Sequence, residues 1–278
     1  MNKLSLDRQA QVIKVLCEGN SIRSTARITG VAINTVVRLL RNVGAACLEY
    51  QDTIMRNLPC KKLQCDEIWS FVCAKAKNVP EEHNGEFGYG DVWTFTALDA
   101  DTKLVPSWLV GLRDTDNAYE FINDLKSRLA NRVQITTDGH RMYLEAVEQV
   151  FGADVDYAML VKLYGQEPEQ EKRYSPAKCI GADKHRVVGN PDAKAISTSF
   201  VERQNLTMRM NMRRFTRLTN AFSKKLENYI YALALYFMHY NFVRPHKTLA
   251  NPYERTPAIA AGITDHSWTI EEIVKLVD

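Results

Sequence analysis

The chain of 278 residues lacks an apolar run of the length that a bilayer requires; its longest, around 229–237, suits a core helix. Its first residues, Met-Asn-Lys-Leu-Ser-Leu-Asp-Arg, contain no apolar stretch ending in small residues, so no secretory leader is expected and a cytoplasmic location is. Cysteines number six and are expected to be reduced. Cys60 and Cys65 are the only close pair, with no second pair or histidine at zinc-ribbon spacing, which argues against structural zinc. No Ser-His or Cys-His arrangement suggests a nucleophilic triad. The net charge of +3 is too small to point to nucleic acid by itself.

What is present is a charge distribution that the net value hides. Residues 1–50 hold seven Lys and Arg against three acids, and residues 203–225 hold seven with no acid. Both are candidate DNA-facing surfaces. Leu6, Ala10, Ile13 and Leu16 share a helical face that ends at Glu18-Gly19-Asn20. Ser21 suits the cap of a second helix stopping at Gly30, and Asn34 precedes a third with Arg38 and Arg41 outward. This is the helix-turn-helix pattern, with base contacts expected near 32–38 and phosphate contacts from Arg27 and Arg41. A three-helix module that docks on protein fits the same pattern.

The next stretch, 46–61, has the features of a linker: a helix through 47–55, then Asn57-Leu58-Pro59. Residues 63–73 alternate as a strand with Asp66 in its middle, bulky apolar groups on both faces, and Glu67 as the alternative acid if the register slips by one. Residues 91–99 and 104–110 continue an antiparallel run, and Pro106 assigns the latter to a sheet edge. Asp116 is expected to cap a helix with Tyr119, Ile122, Leu125 and Leu129 inward. A fourth strand, 133–137, ends at Asp138-Gly139-His140 and leads into a helix, and 157–163 reads as a fifth strand. From 164 to 196 periodicity fails, which reads as an insertion. A helix near Ser199 carries Glu202 with Asn205, Arg209 and Arg213 along one stripe; a salt-bridged surface helix would look the same. A longer helix spans 222–242.

Asp66, Asp138 and Glu202 thus fall in a strand, at a strand tip and on a helix. If they converge without cations they raise one another's pKa, a conflict that two divalent ions remove. Hard oxygen ligands suit Mg²⁺ or Mn²⁺, and a pair of such ions supports in-line phosphoryl displacement.

The order of elements, together with Cys-Asp66-Glu-Ile-Trp-Ser, Thr-Thr-Asp138-Gly-His, Val-Glu202-Arg-Gln-Asn with Arg209 seven residues on, and Tyr240-Asn241-Phe-Val-Arg244-Pro-His246, resembles the DDE transposases of bacterial insertion sequences, most nearly the insertion-sequence-one group. The likeness spans about 60–260. It implies an α/β fold, a ribonuclease-H-like mixed sheet of five strands flanked by helices and preceded by an all-α helix-turn-helix domain. The domains would be 1–45 for DNA binding, 46–61 as linker, 62–220 for catalysis with the insertion at 164–196, and 221–278 as a helical region packed on the catalytic domain. It also implies Asp66, Asp138 and Glu202 as ligands of two Mg²⁺ or Mn²⁺ ions, Arg209 as a DNA contact, mobile-element ends and target DNA as partners, and a homodimer or higher oligomer. A structure-specific nuclease on the same core and a non-catalytic DNA-binding regulator are the alternatives.

Overall fold

The computed structural model describes residues 3–165, 179–216 and 220–277. Three helices open it: α1 (Leu6–Cys17), α2 (Ile22–Thr29) and α3 (Ile33–Ile54). Ser21 caps α2 by accepting the Ser24 amide, and Gly30 ends it at φ 68°, a left-handed conformation that glycine adopts without a Cβ clash. The chain bends by 113° between α2 and α3.

The third helix starts one residue before Asn34 and runs for 22 residues, straight through the boundary expected at 45. Packing explains the continuity. Val43, Gly44, Cys47 and Gln51 are buried along it, and Gln51 donates to the Ala234 carbonyl at 3.0 Å. Gly44 permits the close approach, since a Cβ there would lie 2.5 Å from both the Cβ and the carbonyl oxygen of Tyr231. Much of the expected linker is therefore core helix, and Ala10, Ile13, Leu40 and Cys47 share one contiguous core with Leu63, Ile68 and Leu233.

Among the described residues six strands form one mixed sheet: β1 (Lys62–Val72), β2 (Gly90–Asp99), β3 (Ser107–Gly111), β4 (Gln134–Asp138), β5 (Asp156–Tyr164) and β6 (Cys179–Val188). Their order is β3-β2-β1-β4-β5-β6. The pairs β1–β4 and β4–β5 are parallel, and the remaining neighbours are antiparallel. The sixth strand corrects the expectation of five. It lies in the stretch read as an insertion, and its residues are exposed on both faces, so no burial imposes a two-residue period on the sequence. Residues 166–178 of that stretch lie outside the described residues.

Helix α4 (Thr115–Arg128) follows β3, and α5 (Arg141–Phe151) follows β4. The cap of α4 is Asp114, which accepts the Asn117 amide at 2.9 Å, rather than Asp116. Its buried face consists of Ala118, Phe121, Ile122 and Leu125, while Tyr119 is 40% exposed. Phe95 on β2 meets Phe121 and Tyr143, so α4 and α5 cover the sheet face that Glu67 shares.

The opposite face is covered by α6 (Ser199–Asn211) and α7 (Leu226–Met238). Helix α7 is shorter than the expected 222–242 and continues as a π-helical turn, His239–Val243. Within that turn Asn241 is fully buried, donating to the Val105 carbonyl and accepting the Val105 amide, each at 3.0 Å. The side chain thus acts as a ladder partner just before Pro106, which has no N–H to offer. Two short helices, α8 (Pro257–Ala260) and α9 (Ile270–Lys275), complete the chain, with Trp268 packed against Tyr50 and Phe242. No single helix among the described residues is long and apolar enough to cross a membrane.

Candidate functional site

Strand β1 positions the site through three polar residues, Gln64, Asp66 and Glu67, on its two faces. Gln64 is buried, and its Oε1 accepts the amides of Phe200 and Val201 at 2.8 and 3.2 Å. These belong to the first turn of α6, whose amides lack helical partners. A strand side chain therefore fixes the start of the helix that carries Glu202. Two residues on, and on the same face, stands Asp66. Its Oδ2 accepts from Asn205 Nδ2 at 2.8 Å and its Oδ1 from the Glu67 amide at 2.9 Å.

Asp138 ends β4, where Gly139 avoids a clash: a Cβ at that residue would lie 2.8 Å from Val161 Cγ2. The Asp138 Oδ1 accepts the His140 amide at 3.0 Å. Carboxylate oxygens of Asp66, Glu67 and Asp138 all lie within 4.8 Å of one another. Convergence of the two aspartates, distant in sequence, follows from the parallel pairing of β1 with β4.

Glu67 completes this cluster from the other face. Its side chain is 1% exposed and receives Arg113 Nε at 2.7 Å and the Tyr143 hydroxyl at 2.9 Å. Arg113 also lies over the Trp93 ring, 4.6 Å from its centroid. Glu202 stands apart from the three: its Oε2 is bound by Lys162 Nζ and its Oε1 by the Thr198 hydroxyl.

The electrostatics follow from burial and crowding. Burial pushes the Asp66 carboxyl up to about 7, helped by the charges of Glu67, Asp138 and Glu202 and opposed by the Glu67 amide. Burial and the Asp138 charge likewise raise Glu67, although Arg113 and Tyr143 pull it down. The Tyr143 hydroxyl is driven well above the ordinary range by burial and by the Glu67 charge, so it remains a donor.

A hard divalent cation fits this donor set. It would relieve the repulsion that raises Asp66, and the ligands offered are oxygens. A second observation agrees: Asn205 is 5% exposed, yet among the described residues its Oδ1 has no hydrogen-bond partner beside Asp66, an orphaned acceptor where a buried polar atom is ordinarily satisfied. Asp66, Glu67 and Asp138 are the residues that could hold such an ion.

The sequence-expected residues divide accordingly. Asp66 and Asp138 come together, while Glu202 reaches Asp66 through its charge and is bonded elsewhere. Glu67 joins without any slip of register, because Asp66 pairs with Thr96 and Glu67 with Phe95 as alternation requires. Arg27, Asn34, Arg38 and Arg41 are all exposed on α2 and α3, and Arg41 lies 3.3 Å from Glu227. Arg209 is half-buried on α6 and Arg213 is exposed just beyond it, whereas the adjacent Arg214 is tucked in, donating to Ser223 at 2.7 Å.

Sequence reasoning missed Arg113, Tyr143 and Lys162. Lys162 left a trace, as the one charge inside the apolar run 157–163. Arg113 and Tyr143 left none, since neither departs from the pattern around it. Comparison with known proteins found no family model that matches this chain and no matching curated protein.

Proposed function

We propose that this protein is a DNA transposase on a ribonuclease-H-like core, one that binds the ends of a mobile element, cuts them and joins the freed 3′ hydroxyl to target DNA. The observation that carries the reading is the meeting of Asp66 and Asp138, from adjacent parallel strands, under a helix that bears Glu202. With Glu67 they form an oxygen cage suited to Mg²⁺ or Mn²⁺, two ions in the family that the motifs resemble. Such ions, when bound, supply charge stabilisation for an in-line displacement at phosphorus.

The chain's own residues have separable tasks in this reading. Asp66 and Asp138 hold the cations, and Asn205 orients Asp66 through its 2.8 Å hydrogen bond. Arg113 and Tyr143 hold Glu67 in place from behind. Arg209 and Arg213 follow Glu202 along and beyond α6, where phosphates of a bound strand would pass. Exposed residues of the N-terminal helices, Arg27, Asn34, Arg38 and Arg41, bind element ends, with their phosphate contacts making affinity salt-dependent. Joining two ends calls for at least two copies, and a cytoplasmic location gives access to bacterial DNA.

The test uses the purified full chain, Mg²⁺, and duplexes that carry the inverted repeats flanking the gene. Cleavage at the repeat end followed by joined product supports a transposase, and joined product should vanish in Asp138→Asn while binding persists. Cutting without joining of pre-cut ends would assign a nuclease. Binding with no Mg²⁺-dependent cleavage, unaffected by Asp138→Asn, would leave a regulator.

A further inference from the structure

Three carboxylates form the cluster and a fourth, Glu202, stands beside it, and each has its own compensation. Asp66 has Asn205 and an amide, Asp138 has an amide, and Glu67 has Arg113 and Tyr143. Glu202 alone is held by an ammonium on a flexible stem, with Lys162 and Glu202 side chains 31% and 37% exposed. Lys162 lies on β5 two residues beyond Leu160, the register partner of Asp138, so it rises from the same sheet face as the two aspartates. That face carries a surplus of negative charge on which a divalent cation and this ammonium would compete.

We propose that Lys162 is a positioning residue that keeps Glu202 in reserve, binding its carboxylate while the cluster is metal-free and releasing it when a divalent cation settles beside Asp66 and Asp138. The proposal rests on the reading that the cluster takes such a cation, and adds a role for a residue outside the acidic motif. Thr198 supports the same arrangement: its hydroxyl donates to the second Glu202 oxygen, so the reserve position is built by two side chains. The geometry also separates Lys162 from Arg113, whose partner Glu67 is 1% exposed and offers no comparable freedom. A lysine suits the task because its ammonium is a point charge with rotatable donors on a long stem, able to leave one oxygen for another partner.

The test is Mn²⁺ binding to the full-length protein without DNA, followed by the electron paramagnetic resonance of the free ion. Lys162→Gln should bind Mn²⁺ about twofold to fivefold more tightly than the wild type, the range expected when a partly exposed ion pair no longer has to be broken. Lys162→Arg should stay near the wild-type value. In a Glu202→Gln background the gain should disappear, because there is no longer a carboxylate to release. A second measurement needs no variant: acetylation of Lys162 in the wild type, followed by mass spectrometry, should speed up when Mn²⁺ is added.

Equal or weaker binding by Lys162→Gln overturns the proposal, as does a gain that persists in Glu202→Gln or an acetylation rate indifferent to Mn²⁺. A wild type that binds no Mn²⁺ removes the metal reading and this inference together. Wild-type binding with no difference between the lysine variants removes the inference alone.

Discussion

The carboxylate cluster has a closed wall and an open one, and they balance the same kind of charge by different means. On the closed side Glu67 is 1% exposed and held by the Tyr143 hydroxyl as well as by Arg113, so loss of the arginine would leave a buried carboxylate that water cannot solvate. On the open side Glu202 meets Lys162 where both are about one-third exposed, so solvent or another cation can take the place of the ammonium. Two salt bridges that look alike on paper therefore have different uses. One gives the site its shape, and the other leaves it adjustable.

The largest effect expected concerns the centre that both walls enclose. Under the proposed function, Asp138→Asn and Asp66→Asn should each lower Mg²⁺-dependent cleavage by about a thousandfold or more, read in a single-turnover assay with DNA binding unchanged. Either variant cutting at the wild-type rate would remove that carboxylate from the site.

Next comes a direct contrast between the walls. Arg113→Met strands a buried glutamate and should lower unfolding stability at pH 8 by about 2 kcal/mol, short of the largest buried-pair losses because Arg113 itself is partly exposed. The matching change Lys162→Gln should stay within about 1 kcal/mol of the wild type. Urea denaturation of both proteins provides the comparison, and equal losses would mean that solvent access does not distinguish the two pairs.

Asp66 predicts a pH dependence of stability. Its carboxyl is raised in the fold to about 7 from an ordinary value of 3.8, so between these values the folded protein holds a proton that the unfolded chain has lost. Stability of the metal-free protein should fall as pH rises through this window, the full cost being present above it. Asp66→Asn removes the titration and should stabilise the metal-free protein by up to about 4 kcal/mol at pH 8, with no gain at pH 4. Saturating Mg²⁺ should give the wild type a comparable gain.

The smallest effect belongs to the N-terminal helices, far from both walls in sequence. Arg38→Gln should weaken DNA binding by severalfold and flatten its salt dependence by about one counterion, leaving the cleavage rate of bound DNA unaltered. A change in that rate with unchanged affinity would move Arg38 from binding to chemistry.

Much of this molecule could be read from its residues, because much of it is local. Ser21 and Gly30 bound α2 through their own backbone chemistry, and α1 spans the residues its apolar spacing indicated. Four strands came within a residue or two, since burial on a sheet writes a period of two into the chain. Asp66 and Asp138 stood out because a carboxylate in an apolar strand or at its tip demands compensation. The cap of α4 lies two residues before the expected one because Asp114 and Asp116 are both suitable caps by residue type, and the folded chain places Asp116 in the first turn instead.

Long-range partners were out of reach. The exposed strand β6 bears no pattern, since nothing buries it, and the packing of α3 against Tyr231, distant in the chain, at Gly44 could not be read from either segment alone. Glu67 pairs with Arg113 and Tyr143, and Glu202 with Lys162, only because the fold brings five separate segments side by side. Composition and spacing decide which side chains are available and which local shapes they favour. Which charges neutralise one another depends on distances of a few ångströms between segments remote in sequence, and the folded packing alone sets those.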